Sequence, residues 1–168
     1  MNTTPSASDA EPPLIQSRSG FADAVAWAVR SLSAVDARRM VWCSERFDDW
    51  PLDDPALLEQ LTAWLRLPQR RLVMLGRQFD SIRRHQPRFI AWRRDWAHAQ
   101  EAWTPPAEMG ELPTLLVTDR AITVQLIDSV HWRGRASVDE RRAYQLREQI
   151  DAFQQRSEAA FPVHQLGL

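Results

Sequence analysis

Lysine is absent from this 168-residue chain, and all 21 basic residues are arginine. Cysteine occurs once, at Cys43, so no internal disulfide can form, which suits a reducing compartment. Cys43 lies in the apolar run Met40-Val41-Trp42-Cys43 with no neighbouring histidine, so a buried, inert thiol is expected. An excess of either charge is missing too. The formal net charge is −1, so no global field draws the chain to nucleic acid or to an anionic membrane, and electrostatic arguments must be local. No stretch approaches the ~20 apolar residues that cross a bilayer, so no membrane association is expected. The first residues carry neither a cationic n-region nor an apolar h-region, which excludes a signal peptide and points to the cytoplasm.

Motifs are scarce as well. The histidines are His85, His98, His131 and His164, and none stands at i, i+4 to another or within HExxH, so no zinc signature exists. There is no Walker loop, no GxGxxG and no GxSxG, and therefore no support for a nucleotide site or a serine hydrolase. No metal and no cofactor is expected.

What remains is an ordinary globular composition, 44% apolar and 26% charged, with eight tryptophans. Residues 1–18 offer too few apolar groups to offset ordering and read as a disordered tail, leaving 19–168 as one domain. Apolar residues at spacings of three and four predict a helix from Phe21 to Val35. The runs 39–44 and 71–76 read as buried strands. Between them Asp54-Pro55 supplies an N-cap and a first-turn proline for a helix that Pro68 ends. Helix and strand thus alternate, which implies parallel pairing with helices on the sheet faces. Residues 77–97 are helical in part, with Pro87 as a break, and 98–103 could be a further strand. The β-branched runs 114–118 and 121–127 flank Asp119-Arg120 as a hairpin. Ser137-Val-Asp-Glu140 reads as a capping box opening a last, long helix through Ala143, Leu146, Ile150 and Phe153.

A strand ending in Asp119, a second strand, a polar loop and a long helix running into Phe-Gln-Gln-Arg-Ser-Glu-Ala-Ala-Phe-Pro together resemble one half of the phospholipase D superfamily. The likeness is to a degenerate bacterial subgroup without assigned function, and it covers roughly residues 20–163. It implies a three-layer α/β/α sandwich on a mixed sheet with a long C-terminal helix. Active members carry His-x-Lys, four residues, then Asp. Placing the Asp on Asp119 puts the lysine at Thr114 and the nucleophilic histidine at Leu112. Leucine has no nucleophile and threonine no charge, and no lysine elsewhere restores the motif in another register. The resemblance therefore implies the fold without the chemistry, a non-enzyme that binds a protein partner or a phosphate-bearing ligand. It also implies self-association as a homodimer, because such halves commonly pair across the edge that carries the motif.

Two arginine groups offer surfaces. Arg66, Arg70, Arg71, Arg77, Arg83, Arg84, Arg88, Arg93 and Arg94 crowd 66–94 and interleave with Phe79, Phe89, Trp92 and Trp96. Guanidinium groups beside exposed rings suit nucleic-acid phosphates and bases, with Arg83, Arg84, Arg88, Arg93 and Arg94 as candidate contacts. The competing reading makes the rings core and the arginines a solvated face, since Phe89, Trp92 and Trp96 recur at core spacing. His131, Arg133 and Arg135 could present a smaller anion site, or form a surface loop with Trp132 packed onto the sheet. A weak phosphodiesterase using His131 is the third functional reading. The acidic residues of 45–59 could pair with the arginines, within the chain or across a dimer.

Overall fold

The structure is a computed structural model, and it describes residues 11–163. Eight strands form one mixed sheet: β1 (Leu14–Ile15), β2 (Arg39–Cys43), β3 (Arg71–Leu75), β4 (Gln100–Thr104), β5 (Thr114–Thr118), β6 (Ile122–Asp128), β7 (Arg133–Val138) and β8 (Glu158–Ala159). Their order across the sheet is β1-β7-β6-β5-β2-β3-β4-β8. β2, β3 and β4 pair in parallel, as the helix–strand alternation predicts, whereas β5, β6 and β7 form an antiparallel meander beside β2.

Alternation along the central strands sends side chains to two apolar layers. Met40, Trp42, Leu72, Met74 and Leu116 face one way. They pack against α1 (Arg18–Ser31), α2 (Pro55–Leu65), α3 (Asp80–His85) and α4 (Pro87–Asp95). Val41, Cys43, Val73, Leu75, Leu115 and Val117 face the other way, under Ala143, Leu146 and Ile150 of α5 (Glu140–Gln155). The molecule is thus the expected three-layer α/β/α sandwich. Burial pushes the Cys43 thiol far above its usual range, with the Glu45 charge adding to the effect, so the sulfur stays protonated and inert as its apolar surroundings predict.

Helix boundaries follow from local chemistry. Asp54 caps α2 by accepting the Ala56 N–H at 3.0 Å, with Pro55 as the first helical residue. Pro87 opens α4, whose first turn is held from a distance: Asp53 accepts the N–H groups of Arg88 at 2.7 Å and Phe89 at 3.4 Å. At α5 the cap differs from the Ser137 box expected from sequence. Asp139 accepts the N–H groups of Arg141 and Arg142, while Ser137 lies inside β7 and shares a hydrogen bond of 2.8 Å with Thr123. Pairing of β7 runs on to Val138, so Asp139 is the first residue released to cap.

The tail also needs correction. Residues 1–10 lie outside the described residues, but within the expected disordered stretch Leu14 and Ile15 pair with Arg135 and Gly134. Ser17 caps α1 by accepting the Gly20 N–H at 3.0 Å. Burial of Ile15 in the main core supplies the driving force that composition alone concealed. Among the described residues no helix is long and apolar enough to cross a membrane.

Candidate functional site

The parallel strands end together, and loops leaving them meet the start of β5 and the end of β6, where Cys43 faces Leu115 and Thr114 faces Leu126. Open α/β sheets commonly bind ligands outside the carboxyl ends of their strands. Here that position holds a pocket of about 200 Å³. Phe21, Trp50 and Trp132 contribute aromatic walls, and Glu45, Asp48, Asp49 and Glu111 contribute carboxylates. The rings support one another: Phe21 meets Trp50 edge-on at 5.5 Å and Trp132 at 6.2 Å.

The rim is pinned by one ion pair. Glu45 pairs with Arg77, and the same carboxylate oxygen accepts the Leu112 N–H at 2.7 Å. Arg77 also donates to the Pro106 carbonyl at 3.0 Å, so residues 105–112 are tied to the ends of β2 and β3. Ser81 hydrogen-bonds Asp48, and Arg18 pairs with Asp49 at 2.9 Å. The acidic segment therefore pairs within the chain.

Two of the three positions aligned with the phospholipase D motif, Leu112 and Thr114, line this pocket. Asp119 does not join them. It follows β5 at the far end, roughly 17 Å along the strand from Thr114. There it accepts the N–H groups of Arg38 at 3.0 Å and Arg39 at 3.3 Å, tying the start of β2 to the β5–β6 turn. Its work is structural and goes beyond the turn.

The anion trio is not assembled either. His131 sits in the β6–β7 turn with Nδ1 2.8 Å from the Asp128 carboxylate, so a negative group already occupies it. Arg133 and Arg135 alternate along β7 onto one face, exposed and without side-chain partners among the described residues. Trp132 packs against the core, with a left-handed backbone at φ 55°. The hydrogen bond from His131 holds the Asp128 carboxyl below the usual range. His131→Ala is therefore expected to return the Asp128 titration toward ordinary carboxylates, as followed by NMR. Because the native pKa is lowered, the stabilisation is present above the unfolded value and is lost as pH falls through the native one.

The arginine segment splits. Arg93 is 3% exposed, with its guanidinium donating to the Phe161 carbonyl at 2.8 Å and lying 3.9 Å from the Phe161 ring. It leaves the set of candidate nucleic-acid contacts because a buried side chain cannot reach a polymer. Arg83 pairs with Asp80 at 3.2 Å, and its guanidinium lies 4.8 Å from the centre of the same ring. Arg84, Arg88 and Arg94 are exposed and have no side-chain partner among the described residues. Phe79, Phe89 and Trp92 are buried, and Trp96 is half-buried against the core, so the interleaved rings belong to the interior.

Sequence reasoning missed Phe21, Trp50, Glu111 and Trp132 as members of one pocket, and Glu45 with Arg77 as its anchor. Among the described residues no group of three or more His, Cys, Asp or Glu is arranged to hold a metal ion. No protein-family model, curated protein or solved structure matches the chain.

Proposed function

We propose that this chain is a non-catalytic binding module, similar in fold to one half of a phospholipase D, that engages a phosphate-bearing ligand through the outer surface of α3 and α4. The observation that carries this reading is that Arg84, Arg88 and Arg94 on that surface have no side-chain partner among the described residues. Guanidinium groups with free donors suit phosphate oxygens, which they contact bidentately. The end of the sheet is the less favourable place for phosphate. Leucine and threonine stand at the positions of nucleophile and cation, and carboxylates surround them.

Burial of Phe79, Phe89 and Trp92 removes the stacking platforms that single-strand binders use, so recognition rests on phosphates rather than bases. Single- and double-stranded oligonucleotides are then the natural polyvalent probes. Fluorescence anisotropy at two salt concentrations is expected to show micromolar binding at low salt for both. Replacing Arg84, Arg88 and Arg94 with alanine should weaken binding about ten-fold and lower the salt slope by up to about 3. An absence of binding at low salt, or binding indifferent to the triple substitution, removes the reading.

A further inference from the structure

We infer that the open face of β6, β7 and β1 docks an acidic amphipathic helix of a partner protein. The inference uses residues apart from the α3–α4 surface and stands independently of it.

The third layer of the sandwich is incomplete at this edge of the sheet. On one side α1 packs against β6 and β1. On the other, α5 packs against β5 and β6 and covers only the beginning of the hairpin, where Thr123 and Ser137 are buried. Beyond them Leu14, Arg135 and Gln125 stand side by side across the three strands. Arg142 of α5 donates to the Gln125 side-chain oxygen, which identifies this as the α5 side. Arg133 follows Arg135 on the same face, and Ile127 adjoins it as the extra residue where the register of β6 shifts.

Leu14 is 80% exposed and Ile127 65%. The solvated face of an antiparallel sheet ordinarily carries polar side chains, so open aliphatic groups there mark a contact surface. Charge then selects the partner. Arg133, Arg135 and Arg142 have no ion-pair partner among the described residues. Asp128, opposite Arg133 in register, is held by His131 and the Val130 N–H, and Asp139 caps α5. Cations and aliphatic groups side by side are the complement of an element that alternates carboxylates with leucine-like residues.

Dimensions fit a helix. From β6 to β1 the face is about 10 Å wide, the diameter of one helix. Arg133 and Arg135 stand about 7 Å apart along the strand, close to the spacing of glutamates at i, i+4. Residues 1–10 hold one side-chain carboxylate, Asp9, and 164–168 hold none, so neither segment supplies the acidic stripe. A second copy meeting the same face by two-fold symmetry would set arginine against arginine. Phosphate alone would leave the aliphatic groups in water.

Fluorescence anisotropy with a labelled synthetic helix of about five turns tests this. One face of the probe carries leucine and glutamate at spacings of three and four, and two controls replace every glutamate by glutamine or every leucine by alanine. The acidic probe is expected to bind at micromolar concentration, about ten-fold tighter than either control. Arg133→Gln combined with Arg135→Gln, both on exposed side chains, should weaken it about ten-fold while leaving Tm and oligonucleotide binding unchanged. Leu14→Ser with Ile127→Ser should weaken it several-fold. Alanine at Arg84, Arg88 and Arg94 should leave it unaltered. No saturable binding, equal binding of the glutamine control, or binding lost with the α3–α4 arginines instead overturns the proposal. Oligonucleotide binding lost with Arg133 and Arg135 assigns the face to nucleic acid, and self-association lost with them assigns it to a second copy; either result overturns it too.

Discussion

Arg93→Ala is expected to cost about 3 kcal/mol of stability and to leave oligonucleotide binding unchanged, whereas Arg93→Met should cost only about 1 kcal/mol. Arg93 is 3% exposed, and burial, with Arg83 adding repulsion, lowers its pKa to about 10. That fall corresponds to about 3 kcal/mol spent on holding the charge in the interior. Against it stand the hydrogen bond to the Phe161 carbonyl, the ring contact at 3.9 Å and the packing of the side-chain stem. Alanine relieves the charge but leaves a cavity and a carbonyl without a donor, each worth roughly 1–3 kcal/mol, and forfeits a cation–π contact of about 2 kcal/mol. Methionine relieves the same charge and refills the space.

Denaturant titrations of both variants decide the matter. A loss as large for methionine as for alanine would mean that the charge itself holds the C-terminal segment in place. Arg94→Ala, one residue on and fully outside, should leave stability within about 0.5 kcal/mol.

The contrast between Arg93 and Arg94 shows where sequence reasoning stopped. A list of arginines treats neighbours alike, but one residue turns a helix by 100°. Arg93 lies four residues after Phe89, on the buried stripe, and that spacing was the available signal. The central elements were legible for the complementary reason. β2, β3 and β5 are buried on both faces and read as unbroken apolar runs, and Asp54-Pro55 announces α2 through chemistry that one dipeptide contains. β7 was read as loop because its inward positions are Gly134 and Ala136, too small to register as an apolar pattern, between exposed arginines. Two-residue β1 and β8 have no periodicity to detect.

The pocket was illegible in a different way. Trp50, Glu111 and Trp132 come from three separate loops, and only the order β6-β5-β2 across the sheet makes those loops neighbours. Leu112 and Thr114, two of the three positions singled out in the sequence, line this pocket, whereas Asp119 stands at the far end of β5, and the charge around the pocket is the reverse of what a phosphate needs.

Gly134→Ala is expected to cost about 3 kcal/mol and to displace Trp132 at the hairpin end, while sparing the α3–α4 surface. A Cβ at position 134 would lie 2.3 Å from the Gln125 carbonyl oxygen and 3.1 Å from the Leu126 Cα, both backbone atoms of β6 that no rotamer change can move aside. Glycine within a strand often marks such a close approach. The register of β6 and β7 shifts between Leu126 and Asp128, beside this contact, so the extra methyl must push the strands apart where the irregularity already weakens the ladder. β1 pairs with the same residue through Ile15, so the edge strand is disturbed with it. The hairpin end that would move carries Trp132 and Ser129 into the pocket. Thermal unfolding by circular dichroism should register a fall in Tm of roughly 10 °C. A fall under 2 °C would show that the strands separate without penalty, and the hairpin would then be too pliable to hold an aromatic wall. Retention of full oligonucleotide binding alongside the lowered Tm would separate the hairpin from the α3–α4 surface within one variant, since Arg84, Arg88 and Arg94 stand on helices beside the opposite part of the sheet.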